Sequence, residues 1–292
     1  MKLVVGRDDL AAAALAAVRL NGTRAERVDV QPVHKASRGF VNDASVDVCE
    51  VAIVTLLQAA AYDKPVVLLP ITTLGRFQHQ TLVTMGELTA DEVEGRSVGV
   101  RSWSQTTGVW VRGFLTEQYG VDLRKVDWTV YEGAHVDEYE DPGLVRRAPA
   151  DASLQRDFLD GRLDFGIMGN ELPPDERIRT AIADAHDVAA QWTRDKGFAP
   201  VNHVVCVSET SARENSAAIC AAYDAMRAVL AAAPKSGPVE FEPVGFEALR
   251  GPATQAAVFA FEQGVLPRPV EFDELVARTC AALDVPPSRL GG

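Results

Sequence analysis

Four short stretches hold side chains suited to gripping an anion and moving a proton. The first, GRFQHQ at 75–80, sets Arg76 beside Phe77 and close to His79. A guanidinium can hold a carboxylate through two parallel hydrogen bonds, and an imidazole can donate or shuttle a proton near neutral pH. The second, SWSQTTGVW at 102–110, follows Arg101 and offers Ser104, Gln105, Thr106 and Thr107 where a strand gives way to a helix. The unpaired N–H groups of a helix start favour negative charge. The third is Asn170-Glu171, just past Gly169, and the fourth is Asn202-His203. On this basis His79, His203 and Glu50 are the acid–base candidates. Arg76, Arg101, Ser104, Gln105, Thr106, Thr107, Asn170, Glu171 and Asn202 are the binding candidates.

Plainer readings stand beside these. Arg76 and His79 could sit on a solvated loop, and Ser104 or Thr106 could cap a helix with no ligand present. His203 could be a satisfied core residue. Glu50 stands three residues after Asp47, the spacing of a capping box at the start of a helix over 44–62. Trp110, one turn into its helix, suits a core. His135 lies in an acidic loop and remains open, whereas His186 reads as exposed. Glu50, His79, His135 and His203 could in principle gather on a divalent ion, but no HxxxH or HxH spacing supports it. No cofactor is expected, with a divalent metal as the open alternative.

The elements that must carry these residues alternate. Residues 2–6 read as a buried strand, 8–20 as a helix, 27–33 as a strand, 44–62 as a helix and 65–71 as a strand buried on both faces. A polar, acidic stretch at 85–95 interrupts, and a second series follows. It has a strand at 96–101, a helix at 106–119, a strand at 127–131, an acidic loop at 132–149, a helix at 153–161 and a strand at 163–168. A strand at 201–207, a long helix at 211–233 and a short helix at 272–283 close the chain. Such alternation indicates parallel sheets. The interruption and return predict a bilobal α/β fold of two Rossmann-like lobes, with residues 1–90 plus 205–292 in one and 91–204 in the other. Two hinge crossovers would join them. Ligands of such sheets sit beyond the carboxyl ends of the strands.

Composition narrows the partner. The 41 acidic residues against 29 basic give a net charge of −12, which would repel a phosphate backbone, so no nucleic acid is expected. A few cationic groups focused in a cleft still suffice for a small anion. The first six residues run straight into Arg7-Asp8-Asp9, too soon charged for a signal-peptide core, and no apolar run reaches 18 residues. The four cysteines form no CxxC pair, which fits a reducing compartment. The expectation is a cytoplasmic protein with no membrane partner. A homo-oligomer is compatible with the sequence.

The segments VDVCEVAIVTLLQAAAYDKPVVLLPI, GRFQH, VGVRSWSQTTGVWVRGFLTEQYGVDLRKVDW, GNELP and PVNHVVCV resemble the 4,5-dihydroxyphthalate decarboxylases. The likeness runs from about 46 to 207, and SQTTGVWVRG is its most specific block. It implies the type 2 periplasmic-binding-protein fold used as an enzyme, with loss of CO₂ from a hydroxylated aromatic acid and no organic cofactor. Trp103 stands where the family pattern commonly has Tyr, and Cys49 where it has Ser. If Trp103 lines the pocket, the accepted ring substituents differ. In the implied chemistry Arg76 and the start of the 106–119 helix would clamp the retained carboxylate. His79 or His203 would protonate the ipso carbon, and Glu50 or the other histidine would take the phenolic proton. The competing class is a non-catalytic binding protein for a small aromatic or other anionic ligand.

Overall fold

The computed structural model describes residues 1–169, 172–234, 237 and 239–292. In chain order the strands and helices begin with β1 (Lys2–Val4), α1 (Asp8–Leu20), β2 (Glu26–Arg27), α2 (Ser37–Asp43), β3 (Val48–Ala52), α3 (Ile53–Ala61), β4 (Val66–Gly75) and β5 (Leu82–Thr84). They continue with β6 (Ser97–Val100), α4 (Thr106–Tyr119), β7 (Asp127–Val130), β8 (Val145–Arg147), α5 (Leu154–Leu159), β9 (Phe165–Ile167), β10 (Arg179–Thr180) and α6 (Ala185–Lys196). The last elements are β11 (Val201–Ser208), α7 (Glu209–Glu214), α8 (Ser216–Ala232), α9 (Phe246–Glu262) and α10 (Phe272–Leu283). None of the described helices is long and apolar enough to cross a membrane.

Two sheets organise the lobes. The first has strand order β2-β1-β3-β11-β4 and the second β10-β5-β9-β6-β7-β8. The chain therefore changes sheets between 75 and 82 and returns between 180 and 201, against the 90 and 205 expected from sequence. β1, β2 and β3 are parallel, and β11 inserts antiparallel between β3 and β4. The carboxyl ends of β3 and β4 and the amino end of β11 thus meet on one side. In the second sheet β9, β6, β7 and β8 run parallel, with β5 and β10 antiparallel at the edge.

The helix expected over 44–62 is a strand followed by a helix. Val46, Val48 and Val51 are β-branched, which suits a strand, and β3 gains partners on both sides, β1 and β11. Asp47 does not cap a helix; its carboxylate accepts from the Lys2 N–H at 2.6 Å and from the Ser211 hydroxyl. Glu50 consequently leaves the role of capping partner and sits on the central strand of its sheet.

Behind the cleft, α9 ties the lobes. It packs on α3 of the first lobe and α4 of the second, and Gly113 permits the approach, since a Cβ there would lie 2.2 Å from the Phe259 ring. Arg112 is wholly buried. Its Nε donates to the Gln263 side-chain oxygen at 2.7 Å, its Nη2 donates to the Trp103 carbonyl, and its guanidinium lies 3.7 Å over the Trp103 ring. Gln263 returns a hydrogen bond to the Val109 carbonyl at 2.9 Å. Burial pushes the Arg112 pKa down to about 9, against the opposing pull of Tyr139 and Asp141. Truncating a buried, hydrogen-bonded charge strands its acceptors. Arg112→Ala should therefore lower the unfolding free energy by about 3–5 kcal/mol in urea titrations, and a loss below about 1 kcal/mol would show the tie to be dispensable.

Candidate functional site

A cavity of about 460 Å³ lies between the lobes, within the usual size of small-ligand sites. Its walls come from strand ends: Gly6 after β1, Glu50 and Ala52 on β3, Leu74 and Arg76 at the end of β4, Arg101 after β6, Glu132 after β7 and Gly169 after β9. Asn202 and His203 enter from the start of β11. This is the placement that parallel sheets impose on their ligands.

Its most constrained part is a carboxylate–imidazole pair. Glu50 is only 5% exposed. One of its oxygens accepts the Gly6 N–H at 2.8 Å, and the other lies 2.8 Å from His203 Nδ1. Glu50 and His203 lie on adjacent strands and on one face, because Glu50 is opposite Val205 and His203 is two residues before it. Burial would raise the Glu50 pKa, but the hydrogen bond and charge of His203, with the Gly6 N–H, outweigh it and hold the carboxyl below its ordinary range. An ionised carboxylate only accepts, so Nδ1 carries a proton and Nε2 is left for the cavity.

The second part is built for negative charge. Gln105, the N-cap of α4, makes no side-chain capping bond, and the helix start stands at the wall with Ser104, Gln105, Thr106 and Thr107. Thr106 also accepts the Val54 N–H of α3 at 3.3 Å, so two helix starts are stitched together there. Arg76 packs so closely on Gly169 that a Cβ at 169 would lie 2.3 Å from its Nη2. Gln78 fixes Asn202 by donating to its side-chain oxygen.

A third wall holds two histidines. His34 Nε2 meets Arg101 Nη1 at 2.9 Å, and His135 Nδ1 meets the Thr55 hydroxyl at 2.9 Å. Burial, then the charge of Arg101, pushes each of them down to about 4. His135 arrives on a strap, residues 132–141, that leaves the second sheet and docks on the first lobe. Asn42 donates to the His135 carbonyl at 2.8 Å, Arg38 donates to the Ala134 carbonyl and pairs with Asp137, and Lys64 meets Glu138 at 2.6 Å.

Of the residues expected from sequence, Glu50, Arg76, Arg101, Ser104, Gln105, Thr106, Thr107, Asn202 and His203 all line this cavity. Asn170 and Glu171 lie outside the described residues. His79 does not belong to the cavity. Its ring is wholly buried, stacks on Phe114 at 3.9 Å and hydrogen-bonds Gln118 at 2.8 Å. The turn at 79–81 points it into the aromatic cluster of α4 and α6, away from the loop that carries Arg76. Trp103 is also outside, buried behind the loop with its indole N–H on the Gln263 carbonyl at 2.9 Å. His34 was not found by sequence, because PVHKAS carries no strand-end or helix-start signal. Among the described residues no group of three His, Cys, Asp or Glu side chains is arranged to hold a metal.

No protein-family model matches the chain. Over 194 residues it is 24% identical to a 4,5-dihydroxyphthalate decarboxylase of Comamonas testosteroni, covering 59% of this chain and 57% of that protein. A second such decarboxylase, of Pseudomonas putida, is 24% identical over 160 residues, covering 52% and 60%. The match thus spans less than two thirds of the length of these curated relatives. Among solved structures, a periplasmic sulfonate-binding protein of Methylobacillus flagellatus superposes with a TM-score of 0.52 at 11% identity, covering 98% of this chain and 94% of the other. The fold is that of the periplasmic binding proteins. Within a periplasmic-binding-protein fold the interlobe cavity is the natural place for a ligand.

His79 supplies a pH test. Burial is the larger influence and the Gln118 hydrogen bond opposes it, leaving a pKa of about 4 against an ordinary 6.5. The folded pKa is the lower one, so the unfolded chain takes up the proton first. Stability from this group is full above about 6.5 and declines as pH falls toward 4. One pKa unit is about 1.4 kcal/mol, so His79→Phe should remove roughly 3 kcal/mol of the stability difference between pH 7 and pH 4. Urea midpoints at the two pH values check this, and an unaltered pH slope in the variant would contradict it.

Proposed function

We propose that the chain decarboxylates a hydroxylated aromatic acid held in the interlobe cavity. The observation that carries the reading is the buried Glu50–His203 pair facing a cavity that also presents Arg76 and the start of α4. Support comes from the two decarboxylases that share 24% identity with about half of the chain.

The carboxylate that stays on the ring sits with Arg76 and the N–H groups of α4, where charge and dipole favour an anion. The leaving carboxylate is placed beside His203. The phenolic oxygen pushes electron density into the ring, and the Nε2 proton of His203 forms a C–H bond at the ipso carbon. The bond between that carbon and the carboxylate then breaks. Its electron pair restores the aromatic ring, CO₂ departs, and the imidazole regains a proton from solvent. Glu50 holds Nδ1–H and so keeps the ring aimed, as the third member of a catalytic triad does. Positioned proton transfer supplies roughly 10²–10⁴-fold, and the enclosed, preorganised wall supplies the remainder.

Purified protein incubated with 4,5-dihydroxyphthalate should release CO₂ and form the ring monoacid. His203→Ala and Glu50→Gln should each lower kcat by roughly 10²-fold or more, with KM changed far less. Full turnover in both variants removes the pair from catalysis. Tight binding by the wild type with no CO₂ would instead make the chain a binding protein.

A further inference from the structure

The cavity wall that carries His34 and His135 has a chemistry that the proposed reaction leaves unused. A guanidinium only donates, so His34 Nε2 accepts from Arg101 across their 2.9 Å contact, and the neutral ring keeps its hydrogen on Nδ1. His135 meets the Thr55 hydroxyl through Nδ1, leaving Nε2 as its other polar atom. The two rings lie 6.5 Å apart and are nearly parallel, at 23°. Both remain uncharged well below neutral pH because burial and Arg101 disfavour the imidazolium.

Charge on this wall is already matched. Arg101 lies between His34 and the Glu132 carboxylate, at 3.7 Å from the latter. A carboxylate brought here would find two neutral rings and a guanidinium that already faces Glu132. A hydroxyl, which both donates and accepts, fits two rings that each offer one donor or one acceptor. The strap makes the fit definite: Asn42 and Arg38 hold the backbone at 134 and 135, so His135 is placed from the far lobe by fixed contacts.

We propose that His34 and His135, with Thr55 orienting the latter, form a hydroxyl-reading subsite that selects ring-hydroxylated acids over their unsubstituted counterparts. The subsite rests on the reading of the cleft as an aromatic-acid site, but not on turnover. A site that hydrogen-bonds a substrate hydroxyl rejects the analogue lacking it, because its buried polar groups are then left unpaired.

Calorimetric titration with 4,5-dihydroxyphthalate and with phthalate separates the possibilities. Wild type should bind the dihydroxy acid more tightly. His135→Ala should weaken that acid by roughly tenfold, the worth of one good hydrogen bond, and leave phthalate within about twofold. Thr55→Val, which keeps the shape and removes only the hydroxyl, should shift the same ratio in the same direction by less. Equal weakening of both acids would assign His135 a merely structural role and overturn the subsite, as would no change in either. Binding of neither acid by the wild type removes the subsite and the aromatic-acid reading together. Discrimination without CO₂ release keeps the subsite and ends the decarboxylase reading alone.

Discussion

A carboxylate buried in the middle of a β-sheet has to be met by donors, or it loses its charge. Glu50 is met by the Gly6 N–H at the end of β1 and by His203 at the start of β11. That requirement reaches far into the topology. β1 must end beside β3, and the chain must come back from the second lobe antiparallel, between β3 and β4, so that His203 arrives at the correct height. The cavity stands where these three strand ends meet. Moving β11 by one residue would turn His203 to the other face of the sheet and take the imidazole from the carboxylate.

Around that pair the cleft sorts its electrostatics by place. The surface is acidic, with a net charge of −12, yet the walls carry Arg76, Arg101 and a helix start. Field within a low-dielectric cleft depends on these near groups more than on the distant total. The histidines divide in the same manner. His34 and His135 are buried beside a guanidinium, which favours their neutral forms, whereas His203 faces a carboxylate. Three imidazoles of one type thus acquire different work from their neighbours alone. Sequence cannot show this, since the partners of each ring lie 67, 80 and 153 residues away.

Much of the cleft was nonetheless legible. Arg76, Arg101, Ser104, Thr106, Asn202 and His203 stand at strand ends or a helix start, and the alternation of strands and helices is enough to place such positions on one side of a sheet. The misreadings have local causes. At 44–62 a capping spacing and a long apolar run imitate one helix, and only the pairing of β3 with β1 and β11 decides for a strand. His79 is three residues from Arg76, but a tight turn sends the two into different environments. The helix α9 escaped notice because Gly251-Pro252 breaks its sequence pattern, yet the helix runs unbroken through a buried Pro252.

The lobes are held together by two sets of contacts that differ in kind. Behind the cavity the tie is buried: Arg112, Gln263 and Trp103 share hydrogen bonds away from water, and Trp110 donates to the Val201 carbonyl at 3.0 Å. Breaking them would strand polar groups in the core, at roughly 1–3 kcal/mol for each. The strap is held by Asn42 and Arg38 on the His135 and Ala134 carbonyls, by the buried Val136, and by the ion pairs Arg38–Asp137, with both side chains more than half exposed, and Lys64–Glu138. Exposed ion pairs contribute about 0–1 kcal/mol and are screened by salt. The contacts that hold the strap therefore also hold His135 in the cavity wall.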